Sequence, residues 1–307
     1  MVKSLKKYDV VIVGGGPAGL SAGIYTARAR LNSLLIERGA IGGQIINTEW
    51  VENYPGIDSI GGIDLTETMQ KQAEKFGLET LIAEVTGIEI DGEQKVVKTS
   101  KGDFTAKSVI ITGGSERQKL GIPGEAEFTG RGVSYCATCD GAFFRDKPVA
   151  VVGGGNAAIT EALELTKFAS KITVIHRRDE LRATKILQEK AFSEKKIKFL
   201  WDSVVAEIKG ETFVNQIKVR NVKTEQESVL DISGVFMAVG FKPNTDYLKG
   251  ILELDAIGLI IANEKMETSV PGIFTAGDIR SNSIRQVIAA AGDGAVAAVN
   301  AERYISL

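Results

Sequence analysis

The chain is poor in several residue types, and each shortage narrows what it can be. It has two cysteines in 307 residues. That is too few for the disulfide framework of a small secreted domain. It has a single histidine. The two cysteines and that histidine cannot close a four-ligand zinc site, so no metal is expected. Charge of one sign is also missing: 39 acidic residues face 37 basic ones. Such a balance offers no electrostatic basis for binding nucleic acid or an anionic membrane. The apolar stretch 10–29 is broken by glycines, Pro17 and Arg28, so it reads as strand, turn and helix rather than a membrane span. The first residues carry no signal-peptide pattern, so the expected compartment is the cytoplasm. In that reducing setting a disulfide is catalytic rather than structural.

Glycine, by contrast, is plentiful, at 34 residues. Two glycine-rich turns stand out. Gly14-x-Gly16-Pro17-Ala18-Gly19 and Gly153-x-Gly155-Asn156-Ala157-Ala158 each follow an apolar run and precede a helix-like stretch. Residues 10–37 can be laid on residues 149–176 at a constant offset of 139. Each copy reads as strand, turn, helix and strand, with strands at 10–13 and 33–36, then 149–152 and 171–175. This is the opening βαβ unit of a dinucleotide-binding fold, present twice. Its glycines let a pyrophosphate approach the free amides of a helix N-terminus.

Both copies close on a similar apolar strand ending in glycine, at 109–114 and 235–240. Short β-branched runs between these marks predict inserted hairpins. Linkers at 120–125 and 240–245 bound the second copy. The tail has no dinucleotide turn of its own and ends in an Ala-rich helical stretch at 284–304, which is expected to complete the first domain. The predicted fold is therefore α/β, with two Rossmann-like three-layer domains, one inserted into the other. Residues 1–118 and 247–307 are expected to form the first domain, and residues 119–246 the inserted second. The two linkers are expected to act as hinges.

The ends of the second strands separate the two ligands. The first ends in Glu37, whose carboxylate suits ribose hydroxyls and repels a 2′-phosphate. The second ends in His176, followed by Arg177, Arg178 and Arg182. Guanidinium groups there suit a phosphate. The first site thus fits FAD or NAD and the second NADPH, which makes 119–246 the expected NADPH-binding domain and 1–118 with 247–307 the expected FAD-binding domain. Just before the second turn lies Cys136-Ala-Thr-Cys139-Asp140, which holds both cysteines. A redox dithiol is expected, with Asp140 as the adjoining acid/base. Phe143 and Phe144 follow, either as core or as an exposed pair for a protein partner.

These motifs together resemble one family, the low-molecular-weight, prokaryotic-type thioredoxin reductases. The resemblance runs from Tyr8 to about Ala301. It also rests on Gly42-Gly43-Gln44, Glu52-Asn53-Tyr54-Pro55-Gly56, Thr275-Ala276-Gly277-Asp278 and Arg285-Gln286. It implies a homodimeric flavoprotein that passes electrons from NADPH through FAD and the Cys136–Cys139 disulfide to thioredoxin. Gly43, Gln44, Asn53, Gly277, Asp278, Arg285, Gln286 and Val287 are then expected FAD contacts. Cys139 is expected to face the flavin and Cys136 to attack thioredoxin. Arg131, Phe143 and Phe144 are expected in the docking face. Two positions depart from the family pattern. Thr160 stands where a glutamate is usual, which is expected to weaken nicotinamide placement or proton handling. Thr112-Gly113-Gly114 replaces Ala-Thr-Gly, which is expected to loosen the flavin-side turn. Alternatives are reduction of another thioredoxin-like, glutaredoxin-like or peroxiredoxin-linked disulfide, or a flavin-bound redox sensor. Flavin reductases on the same scaffold lack the cysteine pair.

Overall fold

The structure, a computed structural model, describes residues 5–48 and 50–306. Residues 1–4, part of the segment read as lacking an export signal, lie outside the described residues. The chain forms two compact units. One comprises residues up to Glu116 and from Lys242 onward; the other is Arg117–Phe241.

The first unit opens with β1 (Lys6–Val13), α1 (Pro17–Arg28) and β2 (Ser33–Glu37). It continues with α2 (Gly62–Lys75), β3 (Glu79–Ile82), β4 (Val85–Asp91), β5 (Gln94–Thr99) and β6 (Phe104–Ile111). After the crossing strand β7 (Ser115–Arg117), the second unit contains β8 (Val133–Ser134), α3 (Ala137–Asp140), β9 (Pro148–Val152), α4 (Asn156–Leu165) and β10 (Lys171–Ile175). It ends with α5 (Lys185–Ser193), β11 (Ile197–Leu200), β12 (Ser203–Gly210), β13 (Val214–Asn221), β14 (Glu227–Asp231) and β15 (Gly234–Met237). The chain returns through β16 (Phe241–Pro243), adds β17 (Ile273–Thr275) and finishes in α6 (Val287–Ser306).

In the first unit the sheet order is β3-β2-β1-β6-β5-β4, with β17 also pairing β6. Strands β1, β2, β3, β6 and β17 run parallel; β4 and β5 pair antiparallel. The parallel strands are apolar without alternation because both faces are covered. Val10, Val11 and Ile12 of β1 are wholly buried. Helix α6 supplies part of that cover. Gly294 packs so closely on α1 that a Cβ there would lie 2.1 Å from the Ala18 carbonyl oxygen. The Ser21 hydroxyl donates to the Ala291 carbonyl across the same contact, at 2.7 Å. The tail expected to complete the first domain thus packs against its first helix.

The second unit repeats the design, with the all-parallel order β11-β10-β9-β15-β8 and an antiparallel ladder β12-β13-β14. The units change over at 116/117 and 241/242, earlier than the expected 118/119 and 246/247. At the second crossing the reason is local bonding. The Asn244 side chain donates to the Gly113 carbonyl and the Thr245 hydroxyl to the Gly258 carbonyl, at 2.8 and 2.7 Å. Both partners belong to the first unit.

Candidate functional site

The first glycine turn lies between β1 and α1. Gly14 has φ +114°, and a Cβ there would meet the Thr112 carbonyl oxygen at 2.4 Å. Gly19 is excluded from carrying a side chain by the Gly14 carbonyl, 1.9 Å from its ideal Cβ. Gly16 stands at the helix N-cap with no side chain to satisfy the first amides, and Pro17 holds N1. Glu37 ends β2 beside the turn. One carboxylate oxygen accepts the Gly15 N–H at 2.6 Å and the other the Gly39 N–H at 2.9 Å. Gly43 comes close as well: its ideal Cβ would sit 3.1 Å from the Gly16 Cα.

Thr112 had suggested a looser turn, and the structure corrects this. Its hydroxyl lies 2.9 Å from the Val13 carbonyl and 2.8 Å from that of Gly14, so it ties the turn down. Of the remaining expected FAD contacts, Asn53 and Gln286 meet side chain to side chain at 3.1 Å. Asp278 accepts the Ser283 hydroxyl on its carboxylate and the Ser115 hydroxyl on its carbonyl. The preceding Gly277 donates its N–H to Asp293, which is also clamped by Arg280 through both carboxylate oxygens, at 2.7 and 2.9 Å. Gln44 and Arg285 are exposed.

The second turn repeats the geometry between β9 and α4. Gly155 is an N-cap without a side chain, and open space surrounds its ideal Cβ. Gly154 has no such space. A Cβ there would lie 2.4–2.5 Å from three atoms of the His176 ring. The imidazole therefore lies face-on beneath the turn. It is 4% exposed, and its Nε2 has no hydrogen-bond partner among the described residues. Burial, then the charges of Arg182 and Arg178, hold it below the usual histidine range. The segment after β10 folds over the turn: Arg182 N–H donates to the Gly154 carbonyl and Thr184 N–H to the Asn156 side chain, at 2.7 and 2.8 Å. Arg177, Arg178 and Arg182 are exposed, and so is Thr160 on α4.

The two cysteines bracket the start of α3 and form a disulfide, with Cα atoms 5.3 Å apart. Cys136 Sγ accepts the Cys139 N–H at 3.2 Å. Asp140 closes the motif. Its Oδ2 accepts the Ser134 hydroxyl at 2.6 Å, and that same hydroxyl oxygen accepts the Cys136 N–H at 3.1 Å. Burial raises the Asp140 pKa; the Ser134 bond and the Arg117 charge oppose it. A carboxyl group so placed can hold a proton at a pH where an exposed aspartate has lost it.

Residues 8–294 match the pyridine nucleotide-disulphide oxidoreductase family. A thioredoxin reductase from Bacillus subtilis is 48% identical over 302 residues, covering 98% of this chain and 95% of its own. The chain belongs to the thioredoxin reductase family. Among solved members, the thioredoxin reductase of Streptococcus pyogenes is 48% identical with a TM-score of 0.96, covering 99% of both chains. That of Lactococcus lactis, described as in an FR conformation, is 46% identical with a TM-score of 0.66, covering 97% of this chain and 99% of its own.

Within this reductase frame, the two turns fit the groups that the family carries. Each offers a helix N-terminus with uncapped amides at a glycine backbone that excludes side chains. The aromatic pair divides. Phe143 is 48% exposed, whereas Phe144 is 9% exposed, edge-on to Phe236 and covering Gly234. Phe144 is thus core, and only Phe143 offers a ring to a partner. Arg131 is exposed and bonds back to the Glu127 carbonyl. Sequence reasoning passed over Ser134, although a serine two residues before an amide it bonds is a recognisable local turn. It also missed Arg280 and Asp293, whose pairing joins a loop to a helix and leaves no local mark.

Proposed function

We propose that the chain is an NADPH-dependent thioredoxin-disulfide reductase, with FAD on the first unit and NADPH on the second. The Cys136–Cys139 disulfide beside a half-buried carboxyl, on the unit that also bears the arginine-flanked turn, carries this reading. FAD and NADPH, when bound, supply the two-electron chemistry that reduces the disulfide. The chain's residues then do the thiol work. The Cys136 thiolate attacks the thioredoxin disulfide, and the Cys139 thiolate attacks Cys136 to release the reduced product. Asp140 gives its proton to the departing sulfur. The Cys139 N–H aimed at Cys136 Sγ favours a thiolate there.

The same reading assigns the pyrophosphate of FAD to the turn from Gly14 to Gly19 and its ribose to Glu37. Gly43, Gln44, Asn53, Gly277, Asp278, Arg285, Gln286 and Val287 complete that site. It assigns NADPH to Gly153, Gly155, Asn156, Ala157 and Ala158, with the 2′-phosphate at Arg177, Arg178 and Arg182. His176 acts from beneath, through Gly154. Thioredoxin docks at Phe143 and Arg131. The units rotate against each other about the two crossings, so that dithiol and nicotinamide use one flavin in turn. Solved relatives of nearly equal identity that match at TM-scores of 0.96 and 0.66 support more than one arrangement in the family.

A cytoplasmic homodimer is part of the proposal. No helix among the described residues is long and apolar enough to cross a membrane. On the first unit, Tyr25, Ala295, Val296, Val299 and Asn300 line a hollow of about 310 Å³. Tyr25, Ile288 and Val296 leave apolar surface exposed, which suits a second copy. The test is NADPH oxidation by the purified yellow protein with thioredoxin. A protein that cannot be loaded with FAD, or that leaves thioredoxin oxidised, refutes the proposal.

A further inference from the structure

Ser134 is 4% exposed and has no role in the reaction as described above. Its hydroxyl nonetheless sits between the two chemical ends of the redox motif. It donates to Asp140 Oδ2 at 2.6 Å, accepts the Cys136 N–H at 3.1 Å and lies 3.4 Å from the Cys136 carbonyl oxygen. We propose that Ser134 is a positioning residue for the proton transfer, holding the Asp140 carboxyl against the Cys136–Cys139 motif in both of its protonation states. The proposal rests on the reductase reading, with Asp140 as the acid.

A hydroxyl has one proton and two lone pairs. One lone pair of Ser134 is taken by the Cys136 amide. With Asp140 ionised, the proton points to Oδ2 in a short, charge-assisted bond. With Asp140 protonated, the same 2.6 Å line runs in reverse. Asp140 donates to the second lone pair, and the Ser134 proton turns to the Cys136 carbonyl. The carboxyl stays in place while its charge changes, and no side chain has to move. Alanine can serve neither state.

The reaction needs both states. The Cys136 thiolate attacks one sulfur of the partner disulfide. That S–S bond breaks, a mixed disulfide forms, and the second partner sulfur leaves as a thiolate that takes the Asp140 proton. Cys139 thiolate then attacks Cys136 Sγ, the internal disulfide returns, and the first partner sulfur departs. Two electrons pass from the dithiol to the partner, and Asp140 ends ionised. Arg117 is the charged group acting on Asp140. The other titratable groups of the motif are the two cysteines. Helix α4, packed on α3, carries Glu161 and Glu164, while its Leu165 and the following Phe168 lie against Gly141.

The test uses the full-length, FAD-loaded enzyme and the substitution Ser134→Ala. NADPH should reduce its flavin at the unmutated rate. The kcat for thioredoxin reduction should fall about tenfold or more, the usual effect of losing a hydrogen bond to a charged group. KM for thioredoxin should change by less than about twofold, since no contact with the partner is removed. The activity that depends on protonated Asp140 falls as pH rises. In Ser134→Ala that fall should move to higher pH, because the carboxylate has lost its donor. In an Asp140→Ala background the same substitution should cost less than about twofold more. Unmutated turnover and pH profile in Ser134→Ala overturn the proposal. So does an equal loss with and without Asp140, or a loss of flavin reduction, because Ser134 would then merely shape the motif. Failure of the unmutated enzyme to reduce thioredoxin refutes the reductase reading itself, which separates the two.

Discussion

Gly154→Ala should weaken NADPH binding without touching FAD. The backbone at Gly154 is not in the left-handed region, so alanine meets no torsional barrier. The obstacle is the His176 ring, 2.4–2.5 Å from the new Cβ at three atoms. Ordinary contact is about 3.5–4.0 Å, so the ring must retreat by about 1 Å. It is buried and held by a backbone hydrogen bond at Glu180. Overpacking of this kind costs about 1–3 kcal/mol, and the strained hydrogen bond adds about 0.5–1.5 kcal/mol. The strain falls on the turn and on the arginine segment that bonds to the Gly154 carbonyl. If half of it reaches the nucleotide site, the NADPH dissociation constant rises about tenfold. Titration of NADPH by protein fluorescence measures this, and the flavin absorbance per chain serves as the control. The double variant Gly154→Ala/His176→Ala removes the colliding ring and should recover much of the affinity. Unchanged NADPH binding in Gly154→Ala, or a double variant weaker than the single one, would refute the steric argument.

The aromatic pair should separate docking from stability. Phe143→Ala should raise KM for thioredoxin with little change in melting temperature, whereas Phe144→Ala should cost about 3–5 kcal/mol of stability; chemical denaturation and steady-state assays distinguish them. Arg177→Ala and Arg178→Ala should each raise KM for NADPH about tenfold or more and leave KM for NADH nearly unchanged, as read from NADPH and NADH kinetics side by side. The two shifted groups carry opposite pH signatures. His176 has its folded pKa lowered, so its stabilising effect is complete above the unfolded value of 6.5 and is lost as pH falls through the folded value. Asp140 has its folded pKa raised, so its stabilising effect is present below 3.8 and lost as pH rises through the folded value. At neutral pH, Asp140→Asn should therefore raise the melting temperature while lowering turnover. His176→Gln should flatten the stability curve just below pH 6.5. A destabilised Asp140→Asn or an unchanged His176→Gln curve counts against the assigned burial.

Much of this protein is written locally in its chain. Gly14 and Gly19 announce the first turn for local reasons: Gly14 takes a φ of +114°, and its own carbonyl leaves Gly19 no room for a Cβ. Cys136 and Cys139, three residues apart, close a disulfide through α3 alone. Glu37 and the run from His176 to Arg182 lie at strand ends whose place follows from the βαβ order. Other features belong to the tertiary structure, because the deciding partner is distant in sequence. Phe144 is core, and its neighbour Phe143 is not, because Gly234 and Phe236 of β15 form the wall that receives one ring. Thr112 tightens a turn it had been expected to loosen, since its hydroxyl reaches carbonyls at Val13 and Gly14. His176 reads as a ligand beside three arginines, yet its ring lies beneath Gly154, 22 residues earlier in the sequence. Local steric rules specify where the backbone must turn; which side chain is buried there depends on the surface brought against it by the rest of the chain.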